Sequence, residues 1–281
     1  PRAYAVSSSK KDSDNLFSRL RLPAPKAWPR CPFPVIAKPV SSSGSKGVQL
    51  FYDRARLEEK LGTDLPPQGW LIQEYVDGPS YSLEILGTPG NYTALQVTNL
   101  DMDDQYDCRR VSAPTDLDDD DVRKFKQIGL KLAQSINLHG IMDVEIIRHN
   151  DQLKLLEIDA RLPSQTPTVV FWSTGINLLQ LTAACFLPLK TSKPPSLDNP
   201  RPVIYEHISV SPGSIDVLGE GIMTKGGPLH LEKNFFGADE AVTNYAPGRT
   251  KWIATLIIRD ATFVETWDKR NMVINNILKR A

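Results

Sequence analysis

The sequence IMDVEIIRHNDQLKLLEIDAR, from Ile141 to Arg161, carries most of the information about the fold. Two apolar runs, at residues 141–147 and 153–160, flank the polar residues HND, a pattern typical of two strands joined by a tight turn. Acidic residues interrupt both runs, with Glu145 in the first and Glu157 in the second. The stretch therefore predicts an antiparallel hairpin with carboxylates on its strands.

Glu157, Asp159 and Arg161 alternate along the second predicted strand. Alternate side chains of a strand point to one face, so this face would also receive Glu145 from the neighbouring strand. Carboxylates so close together repel each other unless a cation lies among them, and oxygen ligands suit Mg²⁺. The pattern favours a magnesium site formed by Glu145, Glu157 and Asp159. A solvated network of ion pairs with Arg161 is the alternative that the spacing leaves open.

A lysine and a glycine–serine loop follow one another earlier in the chain. Lys38 lies near the end of the predicted strand FPVIAKPV at 33–40, and SSSGSKG fills 41–47 before a predicted strand at 48–52. A lysine beside a loop with many free N–H groups suits a phosphate group. The segment is not a P-loop, because GxxxxGK[ST] is absent. A flexible hairpin tip is the alternative interpretation.

The predicted strand WLIQEYV, at residues 70–76, ends in a polar pair just before Asp77-Gly78-Pro79. Exposed main-chain N–H and C=O groups at such a strand end have the donors and acceptors to read the edge of an adenine. A strand that simply runs into a turn has the same sequence pattern.

Hydrophobic periodicity over the rest of the chain predicts a mixture of helices and strands, which is the α+β class. Strands are predicted at 81–87, 91–99, 203–210 and 252–260. Helices are predicted at about 53–62, 115–136, 174–186 and 262–280, the second of them capped by Thr115 or Asp116. Residues 1–34 are expected to form a connector, residues 101–114 a polar loop, and residues 188–202 a linker.

Composition excludes several classes of protein. The 281 residues carry 33 Lys and Arg against 33 Asp and Glu, so the chain lacks the broad basic footprint of a general nucleic-acid binder. No apolar run approaches the roughly 18 to 20 residues of a membrane helix, and PRAYAVSSSKK has no apolar signal region. The four histidines show no zinc-binding spacing. Three widely spaced cysteines favour a reducing cytoplasm over a disulfide framework.

Taken in order, these elements resemble the ATP-grasp superfamily over residues 10–185. The resemblance implies an α+β fold in which two subdomains sandwich ATP, followed by a small β-rich C-terminal domain. The implied segments are a connector from a missing N-terminal domain at 1–32, a small lid subdomain at 33–92, a large subdomain with the metal site at 93–187, and a C-terminal domain that completes the core at 188–281.

The resemblance also assigns roles to individual residues. It implies ATP and two Mg²⁺ ions as cofactors, with Glu145, Glu157 and Asp159 as metal ligands and Arg161 as the catalytic residue. The residues that would bind ATP are two lysines, the phosphate loop, the hinge and a basic residue before the long helix: Lys10, Lys38, Ser41, Ser42, Ser43, Gly44, Ser45, Gln73, Glu74, Tyr75, Val76 and Arg110.

Two positions depart from the family pattern. Asp159 stands where the family usually has Asn. The extra carboxylate would bind metal more tightly or attract a cationic substrate. Ser80 stands where many members carry a glutamate that holds the ribose. The ribose contact would then fall to Asp77 or Glu84.

Within the superfamily the sequence is similar to the PylC-type ligases of pyrrolysine biosynthesis, in EIDARLPSQTP (157–167), TGINLLQL (174–181) and WIATLII (252–258). This similarity implies that 3-methyl-D-ornithine is joined to the ε-amine of L-lysine through an acyl phosphate, with Arg161 at the substrate. Both substrates are cationic, so three acidic residues are further substrate candidates, with a solvated acidic loop as the alternative: Asp101, Asp103 and Asp104.

Other functions stay open at this point. They are a D-alanine ligase-like or carboxylase-like enzyme, a non-catalytic nucleotide-binding module, and a structural domain. A homodimer is a further expectation from the family, and neither nucleic acid nor a membrane is expected as a partner.

Overall fold

The computed structural model describes residues 2–41, 44–188 and 199–280. They form two compact units, Pro1–Leu95 with Leu117–Leu162, and Gln96–Asp116 with Pro163–Ala281. No helix in the described ranges has the length and apolarity needed to cross a membrane. The helices and strands, numbered along the chain, are α1 Arg2–Ser7, α2 Lys10–Arg19, β1 Val35–Pro39, β2 Gln49–Phe51, α3 Arg54–Leu61, β3 Trp70–Glu74, β4 Ser80–Thr88, β5 Asn91–Met102, β6 Cys108–Ala113, α4 Asp119–Ser135, β7 Gly140–His149, β8 Gln152–Asp159, α5 Thr166–Thr174, α6 Leu178–Ala184, β9 Val203–Ser211, β10 Ser214–Val217, β11 His230–Lys233, β12 Glu240–Thr243, β13 Trp252–Arg259 and α7 Phe263–Leu278.

The first unit contains a small antiparallel sheet in which β1 lies between β2 and β3. One face of this sheet is apolar and packs on α3 through the core residues Val35, Ala37, Phe51, Leu57 and Ile72. Ile36 pairs with Gln73, and Lys38 pairs with Leu71. Because cross-strand partners share a face, the opposite face carries Lys38 and Gln73.

In the same unit, β7 lies between β4 and β8 in a second antiparallel arrangement. Helix α4 packs on β4 at close range, since a Cβ atom added to Gly129 would lie 2.6 Å from Ile85 Cδ1. The helix begins after Asp118, whose carboxylate accepts a hydrogen bond from Asp121 N at 2.8 Å. The predicted cap at Thr115 or Asp116 is therefore wrong by two or three residues, because the carboxylate that satisfies the first turn belongs to Asp118.

The chain passes into the second unit within β5, after Leu95. There the strands follow the order β11-β12-β13-β9-β6, β10 pairs with β9, and the end of β5 pairs with β6. Helix α7 buries Val273 and Ile277 in an apolar cluster that also contains Trp252 of β13. The chain from Val203 onward thus forms a β-rich segment that ends in a helix, as the sequence predicts.

Most predicted elements are confirmed, with three differences. The predicted loop at 101–114 is mostly strand, because Cys108–Ala113 pairs with β5 and β9 and leaves a turn at 103–107. The predicted connector at 1–34 contains two helices, α1 and α2, and α2 buries Leu16 and Phe17. The helix predicted at 174–186 begins later, and α5 precedes it, because Gly175 ends α5 in a left-handed conformation.

Residues 189–198 of the predicted linker lie outside the described residues. The four predicted domain segments have other boundaries than the two compact units, and they stay a prediction.

Candidate functional site

The predicted hairpin of β7 and β8 places acidic residues in two directly opposed pairs. Glu145 lies opposite Glu157, and Asp143 lies opposite Asp159. Partners across a strand pair share a face, as do alternate residues of one strand, so all four carboxylates lie on one face. The hydroxyl of Ser82, on β4, donates a hydrogen bond to Asp143 Oδ1. The structure thus confirms the predicted hairpin, and it adds Asp143 to the carboxylates on this acidic face.

Arg161 lies beyond the end of β8, which stops at Asp159. The expectation that it continues the alternation within the strand is wrong, because the chain bends after Asp159. Its Nε is nevertheless 2.6 Å from Asp159 Oδ2, and its side chain is 51% exposed. Arg161 is therefore at the edge of the acidic face, with a guanidinium accessible to a ligand.

Burial and mutual repulsion disfavour the ionised forms of these carboxyl groups. Loss of hydration, with the neighbouring carboxylates, raises the pKa of Asp143 to about 7. Burial is the main cause that raises the pKa of Glu145 well above its usual value, and the charges of Asp143 and Glu157 add to the shift. The pKa of Asp159 is raised by burial, although Arg161 opposes the shift. A cation on this face would relieve the repulsion.

Cationic side chains already contact two of the predicted metal ligands. Lys10 Nζ lies 3.2 Å from Glu157 Oε1, and Arg161 holds Asp159. Across the described ranges, no group of three or more His, Cys, Asp or Glu side chains has a geometry that could hold a metal ion. Glu145, Glu157 and Asp159 are brought together, and their role as metal ligands stays a prediction.

The two predicted nucleotide-binding lysines approach the same acidic face. The main-chain N–H of Lys10 donates to Val40 O at 3.1 Å, which ties the start of α2 to the end of β1. Lys38 is 8% exposed. Burial lowers the pKa of the Lys38 ammonium, and the charges of Glu157 and Asp14 oppose that shift.

Asp14 is a residue of this cluster that the sequence analysis missed. It lies one helical turn after Lys10 on α2, so both side chains lie on the same side of the helix. Burial raises its pKa to about 6, against the opposing charge of Lys38. The four-residue spacing from Lys10 is the signal that could have identified it.

In the predicted hinge, Gln73 to Val76, some polar groups have hydrogen-bond partners within the described residues and others do not. Gln73 is 2% exposed, and no described residue donates a hydrogen bond to its Oε1. Glu74 N donates to Lys26 O at 2.8 Å, and Tyr75 N donates to Pro34 O at 3.2 Å. Glu74 can therefore offer a ligand its main-chain carbonyl but not its N–H.

The predicted phosphate loop is described in part. Ser41, Gly44 and Ser45 lie in turns between β1 and β2, and Ser42 and Ser43 lie outside the described residues. Gly44 has φ +60° with open space where a Cβ would be. A glycine adopts this left-handed conformation without strain.

Arg110 and the acidic loop belong to the second unit. The Nε of Arg110 lies 2.6 Å from Glu206 Oε1, and its Nη1 lies 2.6 Å from Asp101 Oδ2. Asp103 Oδ2 accepts a hydrogen bond from Gly219 N at 3.0 Å, and Asp104 is exposed. Arg110 is thus neutralised by carboxylates of its own unit, and its assignment to a phosphate stays a prediction.

Residues 8–165, more than half of the chain, match the family described as the ATP-grasp domain. The chain belongs to the ATP-grasp family. The matched range includes both lysines, the predicted phosphate loop, the hinge and the acidic hairpin. The ATP-grasp resemblance drawn from the sequence is therefore confirmed.

Curated ATP-grasp relatives are similar over most of the chain. It is 38% identical to the 3-methyl-D-ornithine–L-lysine ligase of Methanosarcina acetivorans, over 80% of this chain and 58% of that protein. It is 36% identical to the ligase of the same name from Methanosarcina barkeri, over 80% of this chain and 58% of that protein. The chain thus spans less than two thirds of the length of these relatives.

Solved ATP-grasp structures share the fold. An L-amino acid ligase from Bacillus licheniformis matches 98% of this chain and 72% of its own, with a TM-score of 0.66 and 19% identity. A biotin carboxylase complex with β-γ-ATP from Campylobacter jejuni matches 98% and 67%, with a TM-score of 0.71 and 15% identity. At these identities the likeness shows the α+β ATP-grasp fold alone, as the sequence predicts.

Proposed function

We propose that this chain acts as an ADP-forming ligase that joins 3-methyl-D-ornithine to the ε-amine of L-lysine, as the names of its curated relatives suggest. The observation that carries the proposal is the convergence of two lysines on the acidic face. Lys10 pairs with Glu157, and the buried Lys38 interacts with the same carboxylate. Phosphoryl transfer from ATP needs this combination of phosphate-binding cations and metal-binding carboxylates.

The donor atoms on this face have the chemistry that Mg²⁺ prefers, although the described side chains are not arranged as a metal-binding group. Asp143, Glu145, Glu157 and Asp159 offer only oxygen atoms, which are the ligands that Mg²⁺ prefers. Burial, reinforced by the neighbouring carboxylates, raises the pKa of three of them, and a bound cation would favour their ionised forms. Glu145, Glu157 and Asp159 are the proposed ligands of two ions. The chemistry that Mg²⁺ supplies in such sites is neutralisation of phosphate charge.

The proposed adenine site is the strand end Gln73 to Val76, next to the face that carries Lys38. The unpartnered Oε1 of Gln73 can accept a hydrogen bond from an exocyclic amine. A buried acceptor without a partner costs free energy, which a base with a donor would recover. The carbonyl of Glu74 and the N–H of Val76 are the proposed main-chain contacts.

The proposed reaction proceeds in two displacements. A carboxylate oxygen of 3-methyl-D-ornithine attacks the γ-phosphorus of ATP, and ADP leaves with the electron pair of the broken P–O bond. The lysine amine, after losing its proton, then attacks the acyl carbon and displaces inorganic phosphate. Lys10 and Lys38 would hold the phosphates, and Ser41 to Ser45 would exclude water from the acyl phosphate.

Arg161 is the proposed catalytic residue. Its half-exposed guanidinium can bind the acyl phosphate and stabilise the oxyanion of the second displacement, which is usually a large contribution to catalysis. Arg110 as a phosphate ligand, and Asp101, Asp103 and Asp104 as contacts to cationic substrates, are included in the proposal on family resemblance.

The proposed setting is the cytoplasm, without nucleic-acid or membrane partners. All three cysteines are free thiols, which suits a reducing compartment. A homodimer is included from the family resemblance.

An ADP-release screen with pairs of amino acids tests the proposed function. We expect 3-methyl-D-ornithine with L-lysine to give the fastest release, and neither substrate alone to sustain it. Release that depends on another amine but not on lysine would contradict the proposed substrates. Release that requires no amine would contradict amide formation.

A further inference from the structure

Lys154 lies on the same face of the hairpin as the acidic residues, although simple alternation places it on the other. Glu145 pairs with Glu157, whereas Ile147 pairs with Lys154. A register shift at Glu145 and Ile146 inserts one extra residue into β8. Because cross-strand partners share a face, Lys154 joins the face of Glu145 and Glu157.

The ammonium group of Lys154 contacts the hinge strand. Its Nζ lies 3.0 Å from Glu74 Oε2, at the end of β3, and the two side chains are only 12% and 19% exposed. Burial alone would raise the pKa of Glu74, but hydrogen bonds from Lys26 N and Lys154 hold that pKa below its usual value. The carboxylate is therefore charged and tightly held.

The segment from Pro23 to Trp28 reinforces this contact from both sides. Lys26 N donates to Glu74 Oε2 at 3.0 Å, and Glu74 N donates to Lys26 O at 2.8 Å. Leu155 N, next to Lys154, donates to Pro23 O at 2.8 Å. The segment is thus bonded to β3 and to β8, and the Lys154–Glu74 ion pair joins the two strands directly.

We propose that Lys154 is a positioning residue for the nucleotide: through Glu74 it fixes the strand end Gln73–Val76 in the conformation that receives the base. This proposal rests on the proposed ATP-binding function. The hinge offers main-chain groups, so its recognition of a base depends on backbone position and not on side-chain identity alone. An ion pair between two mostly buried side chains restrains that position more than an exposed pair would.

The loss of Lys154 would leave the Glu74 carboxylate half-buried without its ammonium partner. The N–H of Lys26 would then be its remaining hydrogen-bond donor among the described residues. A mostly buried charge that loses its ion-pair partner is costly, so the carboxylate would turn toward water and release the end of β3. We expect weaker ATP binding with an intact chemical step, since no reacting group changes. This split between KM and kcat separates positioning from catalysis.

The test compares Lys154→Met and Glu74→Gln with Glu58→Gln, which removes one partner of the exposed Arg54–Glu58 pair of α3. For each full protein, KM for ATP, kcat, and hydrogen–deuterium exchange of the peptide 70–78 without nucleotide are measured. We expect Lys154→Met to raise KM for ATP about tenfold, equivalent to about 1.4 kcal/mol, with kcat changed less than about twofold. Hydrogen–deuterium exchange of the peptide 70–78 should be faster in Lys154→Met. Glu58→Gln should change neither KM for ATP nor this exchange.

A charge exchange provides a second check, because Lys154→Glu combined with Glu74→Lys restores the ion pair. The double variant should recover part of the slow exchange and part of the ATP affinity, whereas each single change should recover neither. Recovery is partial because a lysine at position 74 cannot accept the hydrogen bond from Lys26 N. Unchanged exchange or unchanged KM in Lys154→Met would overturn the role of Lys154. Absence of ATP binding in the unaltered protein would instead overturn the proposed function.

Discussion

Glu145 and Glu157 lie directly opposite each other on β7 and β8, and Lys10 binds Glu157 from α2. Two carboxylates in a directly opposed pair destabilise a sheet unless cations compensate them. The lysine supplies one positive charge on this face, and the proposed metal would supply the rest. This relationship connects the fold of the first unit with the proposed chemistry.

Glu157→Gln should abolish the reaction without unfolding the protein. The amide keeps the size of the side chain but removes a negative ligand from the proposed metal site. We expect ADP release to fall by at least about 10²-fold, the scale seen when an electrostatic contact is removed from an active site. The assay is substrate-dependent ADP release, with circular dichroism to verify folding.

Glu58→Gln is the matched control for this change, because Glu58 is an ion-paired, partly exposed glutamate of α3, outside the acidic face. It should retain full activity. Normal turnover by Glu157→Gln would remove Glu157 from the metal site.

Arg161→Ala should lower kcat more than it raises KM for ATP, because the proposed contacts form at the acyl phosphate and not at the nucleotide. A decrease of about 10²-fold is expected from the loss of one oxyanion-stabilising donor. Steady-state kinetics with ATP varied at saturating concentrations of both amino acids measures kcat and KM for ATP. An unchanged kcat would show that Arg161 acts only through its ion pair with Asp159.

Gln73→Leu should weaken ATP binding about tenfold, since it removes the buried oxygen proposed to accept a hydrogen bond from the base. Leucine also relieves an unsatisfied acceptor, so the ligand-free protein should be as stable as the original or more so. Isothermal titration with ATP and thermal melting measure the two effects. Gln127→Leu, on the exposed surface of α4, is the control, and equal ATP affinity in both variants would argue against the adenine site.

The acidic face was predictable from the sequence because a strand has a period of two residues, and Glu157 and Asp159 obey it. Asp143 obeys the same period relative to Glu145 and was overlooked. Lys154 could not be assigned to this face, because the bulge that moves it there arises from the pairing of β7 with β8. Periodicity within one strand contains no information on such a register shift.

Non-local pairing also explains the other errors in the fold. Cys108–Ala113 is a short polar segment that becomes a strand because β5 and β9 lie on either side of it. The helices α1 and α2 were hidden by the proline-rich composition of residues 23–34, although Ser9 supplies an N-terminal cap. Arg110 matched a family position, but its contact with Glu206 joins residues far apart in the sequence.

His207 should make the stability of the protein depend on pH. Burial lowers its pKa from 6.5 to about 4, while its ring nitrogens contact Thr255 Oγ1 and Gln165 Oε1. Between these two pKa values the unfolded chain binds a proton that the folded chain does not. The contribution of His207 to the free energy of unfolding should therefore decrease as the pH falls from about 6.5 toward 4. Three carboxyl groups with raised pKa values contribute in the opposite direction: Asp14, Asp143 and Glu145.

Urea unfolding at pH 7.5 and at pH 5 measures this dependence. Compared with the unaltered protein, His207→Gln should raise the free energy of unfolding at pH 5 relative to its value at pH 7.5, because glutamine keeps polar contacts and removes a group whose protonation favours the unfolded chain. His230→Gln, which changes an exposed histidine, should leave the difference unchanged. An equal pH dependence in the His207 variant would assign the effect to other groups.

The most direct test of the proposed reaction follows an oxygen atom from substrate to phosphate. 3-Methyl-D-ornithine labelled with ¹⁸O in its carboxylate is incubated with the full protein, ATP, Mg²⁺ and L-lysine, and the released phosphate is analysed by mass spectrometry. An acyl-phosphate intermediate predicts one ¹⁸O atom in each phosphate, together with ADP and the amide in equal amounts. Phosphate without the label, or label recovered in AMP, would contradict the proposed mechanism.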